Sequence, residues 1–152
     1  TGLSVNDIRT LVLGGHGDTM VPLTRYTSIG GVPIAQLLGA DVIEDIIQRT
    51  RDGGAEIINL KKNSSAYDAP GAAVTVMVES IVHNKKRLLP CISLLEGEYD
   101  QNGIAIGVPV VLGENGIERI IELTFNDEEN ALFTKSASVT RELIEEVNTL
   151  IG

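Results

Sequence analysis

One of the two histidines of this chain stands where an imidazole could do chemistry. His16 follows the apolar pair Val12-Leu13 within Gly14-Gly15-His16-Gly17-Asp18-Thr19-Met20-Val21-Pro22, so it ends a strand-like run and has glycine on both sides. Imidazole is the side chain whose ordinary pKa, about 6.5, lets it take or give a proton near neutrality. Glycines carry no Cβ and leave room for a small molecule to approach. The pattern makes His16 a candidate general acid and base. The same residues also suit a solvated turn histidine.

Other reactive side chains are sparse. Cys91 is the single cysteine, which excludes an internal disulfide, and neither Cys91 with His83 nor any other pairing has metal-ligand spacing, so no metal site is expected. The chain contains no G-x-G-x-x-G and no G-x-x-x-x-G-K-[ST], hence no phosphate cradle of its own. Twelve Lys and Arg against 21 Asp and Glu leave a formal charge of −9, interrupted by no basic cluster larger than Lys85-Lys86-Arg87. That balance argues against nucleic acid as a partner. No apolar run approaches the roughly 18 residues of a membrane-spanning helix, and the lone cysteine points to a reducing, cytoplasmic setting. Asn63-Ser64-Ser65 matches a glycosylation sequon, a three-residue pattern that arises readily by chance.

The elements that must position His16 are legible in outline. A length of 152 residues fits one domain, and 43% hydrophobic residues with only 3% aromatic and no Trp predict an aliphatic core. Ile8 to Leu13 and Val21 to Ile34 read as extended segments bracketing His16. Ile43, Ile46, Ile47, Ile57 and Ile58 keep helical spacing, so a helix is expected to run from beyond Gly39 through Gly53-Gly54, with a kink or a close backbone approach at the two glycines. Pro70 suits the first turn of a second helix, whose inner face is expected to carry Val74, Met77, Val78 and Ile81, with Lys85, Lys86 and Arg87 at its C-terminal end. Leu88 to Leu95 reads as a strand. Ile104 to Leu112 and Ile117 to Thr124 flank Glu114-Asn115-Gly116, a hairpin signal in which positive φ is expected at both Asn115 and Gly116. Asn126 with Glu129 forms a capping-box pair, followed by a core-facing stripe of Leu132, Val139, Leu143, Val147 and Leu150. This order is not a βαβ alternation; it predicts an α+β fold of antiparallel strands packed with long helices, in a single domain and without a Rossmann unit.

Gly14 to Pro22, with Leu23 and Ile29-Gly30-Gly31-Val32-Pro33-Ile34 beyond it, closely resembles the active-site segment of the lactate/malate dehydrogenase family. A second marker is Ser64-Ser65-Ala66-Tyr67-Asp68-Ala69-Pro70-Gly71-Ala72-Ala73. The likeness runs from about Ser4 to the C-terminus and covers the family's C-terminal, substrate-binding half. It implies hydride transfer between a 2-hydroxy acid and NAD, with His16 as proton donor and acceptor, Ala66 beside the substrate and Pro70 as an apolar wall against the nicotinamide. It also implies that an N-terminal dinucleotide-binding half supplies most of the NAD site, the aspartate that orients the histidine and the arginines that grip the substrate. The chain, opening Thr1-Gly2-Leu3, is accordingly expected to be cut, and a homo-oligomer is expected. Asp18 matches a fixed element of the family motif without being the orienting aspartate, and a turn-stabilising role is expected for it. Gly14-Gly15-His16 resembles the malate enzymes, whose substrate is a 2-hydroxy/2-oxo dicarboxylate, more than the lactate enzymes, which commonly carry Glu before the histidine. L-lactate dehydrogenase of the same family is the alternative, as is a non-catalytic folded fragment that only self-associates.

Overall fold

The first extended segment is not one strand but two. In the computed structural model, which describes residues 1–62 and 66–151, Ile8–Arg9 (β1) and Val12–Gly14 (β2) belong to different sheets. The switch falls at Thr10-Leu11, where the Thr10 and Thr27 hydroxyls lie 3.1 Å apart and the Leu23 amide donates to the Leu11 carbonyl at 2.9 Å. Beyond His16 come β3 (Met20–Pro22), β4 (Ser28–Ile29) and β5 (Val32–Pro33); a short 3-10 turn lies between β3 and β4, and Gly30-Gly31 turn the chain from β4 into β5. β1, β4 and β5 form a small antiparallel sheet.

The helix expected beyond Gly39 is α1 (Ala40–Lys61), which passes Gly53-Gly54 without a break and ends at Lys62 in the left-handed region. A Cβ added at either glycine would meet nothing within 4 Å, so no part of the described chain approaches closely there. α1 buries no residue fully. Ile43, Ile46 and Ile47 face a groove of about 310 Å³ shared with Ile8, Ile29 and Ile34. No described helix is long and apolar enough to cross a membrane.

α2 (Asp68–Val82) carries Pro70 in its first turn, where the missing N–H leaves no bond unmade. Its inner face differs from the expected one. Met77 and Ile81 pack on the core and Ser80 is fully buried, while Val74 and Val78 are exposed. The Ser80 hydroxyl explains the rotation: it donates to the Leu112 carbonyl at 2.7 Å and accepts from the Arg87 amide at 3.3 Å, tying the helix to the sheet through a polar position. Nor do the three basic residues close the helix, which ends at Val82. Lys85 pairs with Glu79 at 2.5 Å, Lys86 with Glu118 at 3.3 Å, and Arg87 opens the next strand.

The central sheet is built on β6 (Arg87–Glu96), β7 (Asn102–Gly113) and β8 (Gly116–Ile120), an antiparallel meander to which β2 and β3 are added across Gly14 and Gly107. Period-two alternation puts Ile104, Ile106, Val108, Val110 and Leu112 of β7 in the core with Cys91 and Leu95 of β6. Full burial of each such aliphatic side chain contributes about 1.5–3 kcal/mol. The hairpin forms as expected but with another turn: Gly113 pairs with Gly116, Glu114-Asn115 are the two turn residues, and of Asn115 and Gly116 only the glycine has positive φ, 84°. A register shift between Val111 and Leu112, opposite Arg119 and Ile117, leaves Glu118 as the extra residue of a bulge further along β8.

α3 (Asp127–Ile151) starts with the expected capping box, closed both ways by Asn126 N–H to Glu129 Oε2 at 2.9 Å and Glu129 N–H to Asn126 Oδ1 at 2.8 Å. Phe133, Ser136 and Ala137 are buried, and Phe133 meets Tyr99 and Phe125 with ring centroids 5.0 and 5.3 Å away. The Tyr99 hydroxyl donates to the Ile121 carbonyl at 2.7 Å and accepts from the Leu123 amide at 3.0 Å, and burial pushes this phenol up to about 12. The second half of the α3 stripe does not reach the core: Leu143, Val147 and Leu150 are exposed, because the sheet ends before the helix does. The α+β class, with its antiparallel strands and three helices, is as expected.

Candidate active site

His16 stands at the head of a 3-10 turn (Gly17–Thr19) between β2 and β3, in extended conformation (φ −103°, ψ 145°), with its side chain exposed. Sequence dictates this local shape. β2 and β3 pair from Val12↔Pro22 to Gly14↔Met20, which forces a tight return over residues 15–19. Gly14 and Gly17 then take φ of 82° and 79°, a region L side chains rarely adopt.

The two glycines before His16 are required by the protein's own packing, a demand the sequence does not reveal. A Cβ on Gly14 would lie 2.7 Å from Ser136 Oγ and 2.9 Å from the Thr19 carbonyl, and one on Gly15 would fall on Thr19 Oγ1. Across the sheet, a Cβ on Gly107 would lie 2.7 Å from the Gly14 carbonyl oxygen. Only Gly17 faces open space. The Gly15 amide donates to Ser136 Oγ at 2.8 Å, joining the loop to the last helix. Ser136 was invisible to sequence reasoning, since it lies 121 positions from Gly15 with no local pattern linking them.

Asp18 lies within the turn, but among the described residues its carboxylate forms no hydrogen bond to a turn amide, so the expected stabilising role is not seen. It lines a cavity of about 260 Å³ behind the loop, together with Thr19, Gln48, Arg51, Lys135 and Ser136. His16 is not part of that lining and is exposed. Ala66 is half-buried just ahead of α2, and Pro70 is exposed on the first turn of that helix. Among the described residues none of the three takes part in a side-chain hydrogen bond, and each leaves surface open to solvent. The sequon and the Ser64-Ser65 part of the second marker lie outside the described residues. No group of three or more His, Cys, Asp or Glu among the described residues could hold a metal ion.

The loop is also braced from its far end. Arg25, on the 3-10 turn after β3, donates to both Glu129 carboxylate oxygens at 2.9 and 2.6 Å and to the Thr124 carbonyl at 2.9 Å. The Arg25 guanidinium holds the Glu129 carboxyl below the usual carboxylate range, against the opposing effect of burial.

Residues 1–151 match the family model described as lactate/malate dehydrogenase, alpha/beta C-terminal domain. The chain belongs to that family. Among its relatives, the malate dehydrogenase of Nitrosococcus oceani is 57% identical over 141 residues, covering 93% of this chain and 45% of the relative. The solved malate dehydrogenase of Salinibacter ruber superposes with a TM-score of 0.95 at 44% identity, over 97% of this chain and 48% of that one. A lactate dehydrogenase from Eimeria maxima, solved with NADH and oxamate, superposes with a TM-score of 0.94 at 38% identity, over 97% and 48%. This C-terminal domain thus spans about half the length of the relatives it matches, and its fold is common to malate and lactate enzymes.

Proposed function

We propose that this chain is the substrate-binding half of an NAD-dependent malate dehydrogenase, interconverting (S)-malate and oxaloacetate with His16 as the proton donor and acceptor. The observation that carries the reading is the exposed imidazole on a loop whose backbone is fixed by both neighbouring strands and by the last helix. An unshielded base on a rigid support is what proton transfer to a docked molecule requires. The high identity to proteins named malate dehydrogenase supports the dicarboxylate substrate over lactate.

The residues present fit the nicotinamide end of NAD and no more of it. Pro70 offers an exposed apolar ring to a planar ring, and half-buried Ala66 beside it is small enough to leave space for substrate. The chain lacks a glycine-rich phosphate turn, so the rest of the dinucleotide belongs to an N-terminal half. When bound, nicotinamide supplies the carbon that accepts or returns a hydride.

During oxidation His16 takes the hydroxyl proton as the C2–H bond breaks and its electron pair leaves as hydride, so the C2–O bond becomes a carbonyl. In the reverse direction the protonated imidazole first steadies the charge growing on the carbonyl oxygen and then delivers the proton to it. Neutral imidazole is needed in one direction and charged imidazole in the other. In the complete two-domain enzyme, His16→Gln is expected to lower turnover about 10²- to 10⁴-fold with NADH binding retained, as loss of a general acid–base requires. Unchanged turnover would sink the assignment. Assay with oxaloacetate and pyruvate side by side separates the malate reading from the lactate one.

A further inference from the structure

We propose that Ser136 is the positioning residue of the His16 loop, a buried hydroxyl that fixes the backbone from which the imidazole projects. The proposal rests on the reading of His16 as proton donor and acceptor. Among the described residues His16 makes no side-chain hydrogen bond, and at the head of its turn it makes no capping bond. Whatever group orients the ring, the imidazole starts from the backbone before it, and that backbone is held from three directions. Gly14 pairs with Met20 on one side and with Gly107 on the other. The third hold is Ser136 Oγ, which accepts the Gly15 N–H at 2.8 Å from a helix 121 positions away.

The chemistry of the hold is specific. Ser136 is 2% exposed although it borders the cavity behind the loop, so removing its hydroxyl takes away the one protein group among the described residues that accepts from the Gly15 amide in a fixed position. The oxygen also fills the space that a Cβ on Gly14 would occupy, at 2.7 Å, so the glycine and the serine are fitted to each other. A hydroxyl accepts the N–H without placing a charge beside the imidazole, as a carboxylate at that position would. One turn on, the Thr140 hydroxyl donates to the Ser136 carbonyl at 3.1 Å, which bonds the helix to itself at the anchoring residue. Proton transfer requires heavy atoms within about 2.6–3.2 Å, and a displacement of about 1 Å in a catalytic group can cost roughly 100-fold. Loss of the anchor therefore acts on turnover more than on substrate binding.

The test uses the complete two-domain enzyme and three variants. Ser136→Ala removes the acceptor. Ala137→Gly, at the adjacent buried position, weakens the same helix but leaves the hydroxyl in place. His16→Gln reports on the underlying reading. Ser136→Ala is expected to lower kcat roughly 10- to 100-fold while KM changes little, and to speed hydrogen exchange at the Gly15 amide; Ala137→Gly, compared at equal loss of thermal stability, should retain turnover. Equal losses in the two helix variants would reduce Ser136 to a stability residue and overturn the proposal. Full turnover in Ser136→Ala alongside a dead His16→Gln would overturn the proposal and leave the role of His16 standing, whereas an active His16→Gln would remove the basis of both. A Gly15 amide that exchanges freely in the unmodified protein overturns the anchor whether or not the variants fold.

Discussion

At the residue scale, this domain sets charge and hydroxyl groups where the chain crosses between distant segments. Arg25 and Glu129 are the clearest case, since Glu129 both closes the α3 capping box and receives the guanidinium of Arg25. Its carboxyl is held below the ordinary range, so the folded state binds its proton less readily than the unfolded chain does. The resulting stabilisation is complete above the ordinary carboxylate pKa, roughly 4, and is lost as pH falls through the depressed folded value. Arg25→Ala is accordingly expected to lower the unfolding temperature by several degrees at neutral pH, with the gap to the parent closing under acid conditions; thermal melts across pH check this, and a gap constant with pH would contradict it. Sequence made Glu129 legible because its partner Asn126 is three positions away. It left Arg25 and Ser136 obscure for the opposite reason. His16 was legible for a third reason, since a histidine between glycines at the end of an apolar run is a local pattern that needs no distant partner to be noticed.

At the element scale, sequence pattern located α1, α2, α3 and the long strands, and missed the short 3-10 turns and what depends on neighbours. The α2 face was misread because Val74 and Val78 share a helical stripe with core residues in sequence, while the actual contact is centred on Ser80, a polar residue that a hydrophobic pattern cannot select. The hairpin is legible in Asn115-Gly116, but the dipeptide alone does not say which residues form the turn: Glu114-Asn115 do, and of Asn115 and Gly116 only the glycine takes positive φ. Gly53 and Gly54 remain the unexplained feature of α1, lying mid-helix with open space around both. In this chain alone, Gly53→Ala and Gly54→Ala are each expected to raise stability by about 1 kcal/mol, the usual helix-interior difference between the two residues. Chemical denaturation measures it. If the glycines exist for a close approach by a second subunit, the same substitutions weaken assembly while strengthening the isolated fold.

At the scale of the whole molecule, many large apolar side chains stay at the surface. Ile58 and Leu60 on α1, Val74, Val78 and Val82 on α2, Leu88, Ile92 and Leu94 on β6, and Leu143, Val147 and Leu150 on α3 are all exposed. Where such side chains gather into one patch, they mark a surface that another molecule covers. The chain also spans about half the length of the relatives it matches. Purified alone, it is expected to self-associate, and light scattering showing a stable monomer at high concentration would contradict this. Composition foretold the aliphatic core correctly. It could not foretell how much aliphatic surface stays outside it, because 43% hydrophobic residues is an ordinary value whether or not a partner shares the burial.

The bond from Gly15 to Ser136 also orders events in time. A ribosome adds roughly 5–20 residues per second, so the glycine loop emerges on the order of ten seconds before the serine that anchors it, 121 positions later. Through that interval the Gly15 amide has no acceptor, and Leu13 and Val21 wait uncovered for Phe133 and Ala137 of the same helix. The nascent chain therefore passes through a sticky stage in which the fold's most reactive loop is also its least finished, and a holdase that shields β2 and β3 during synthesis would raise the yield of correctly formed protein.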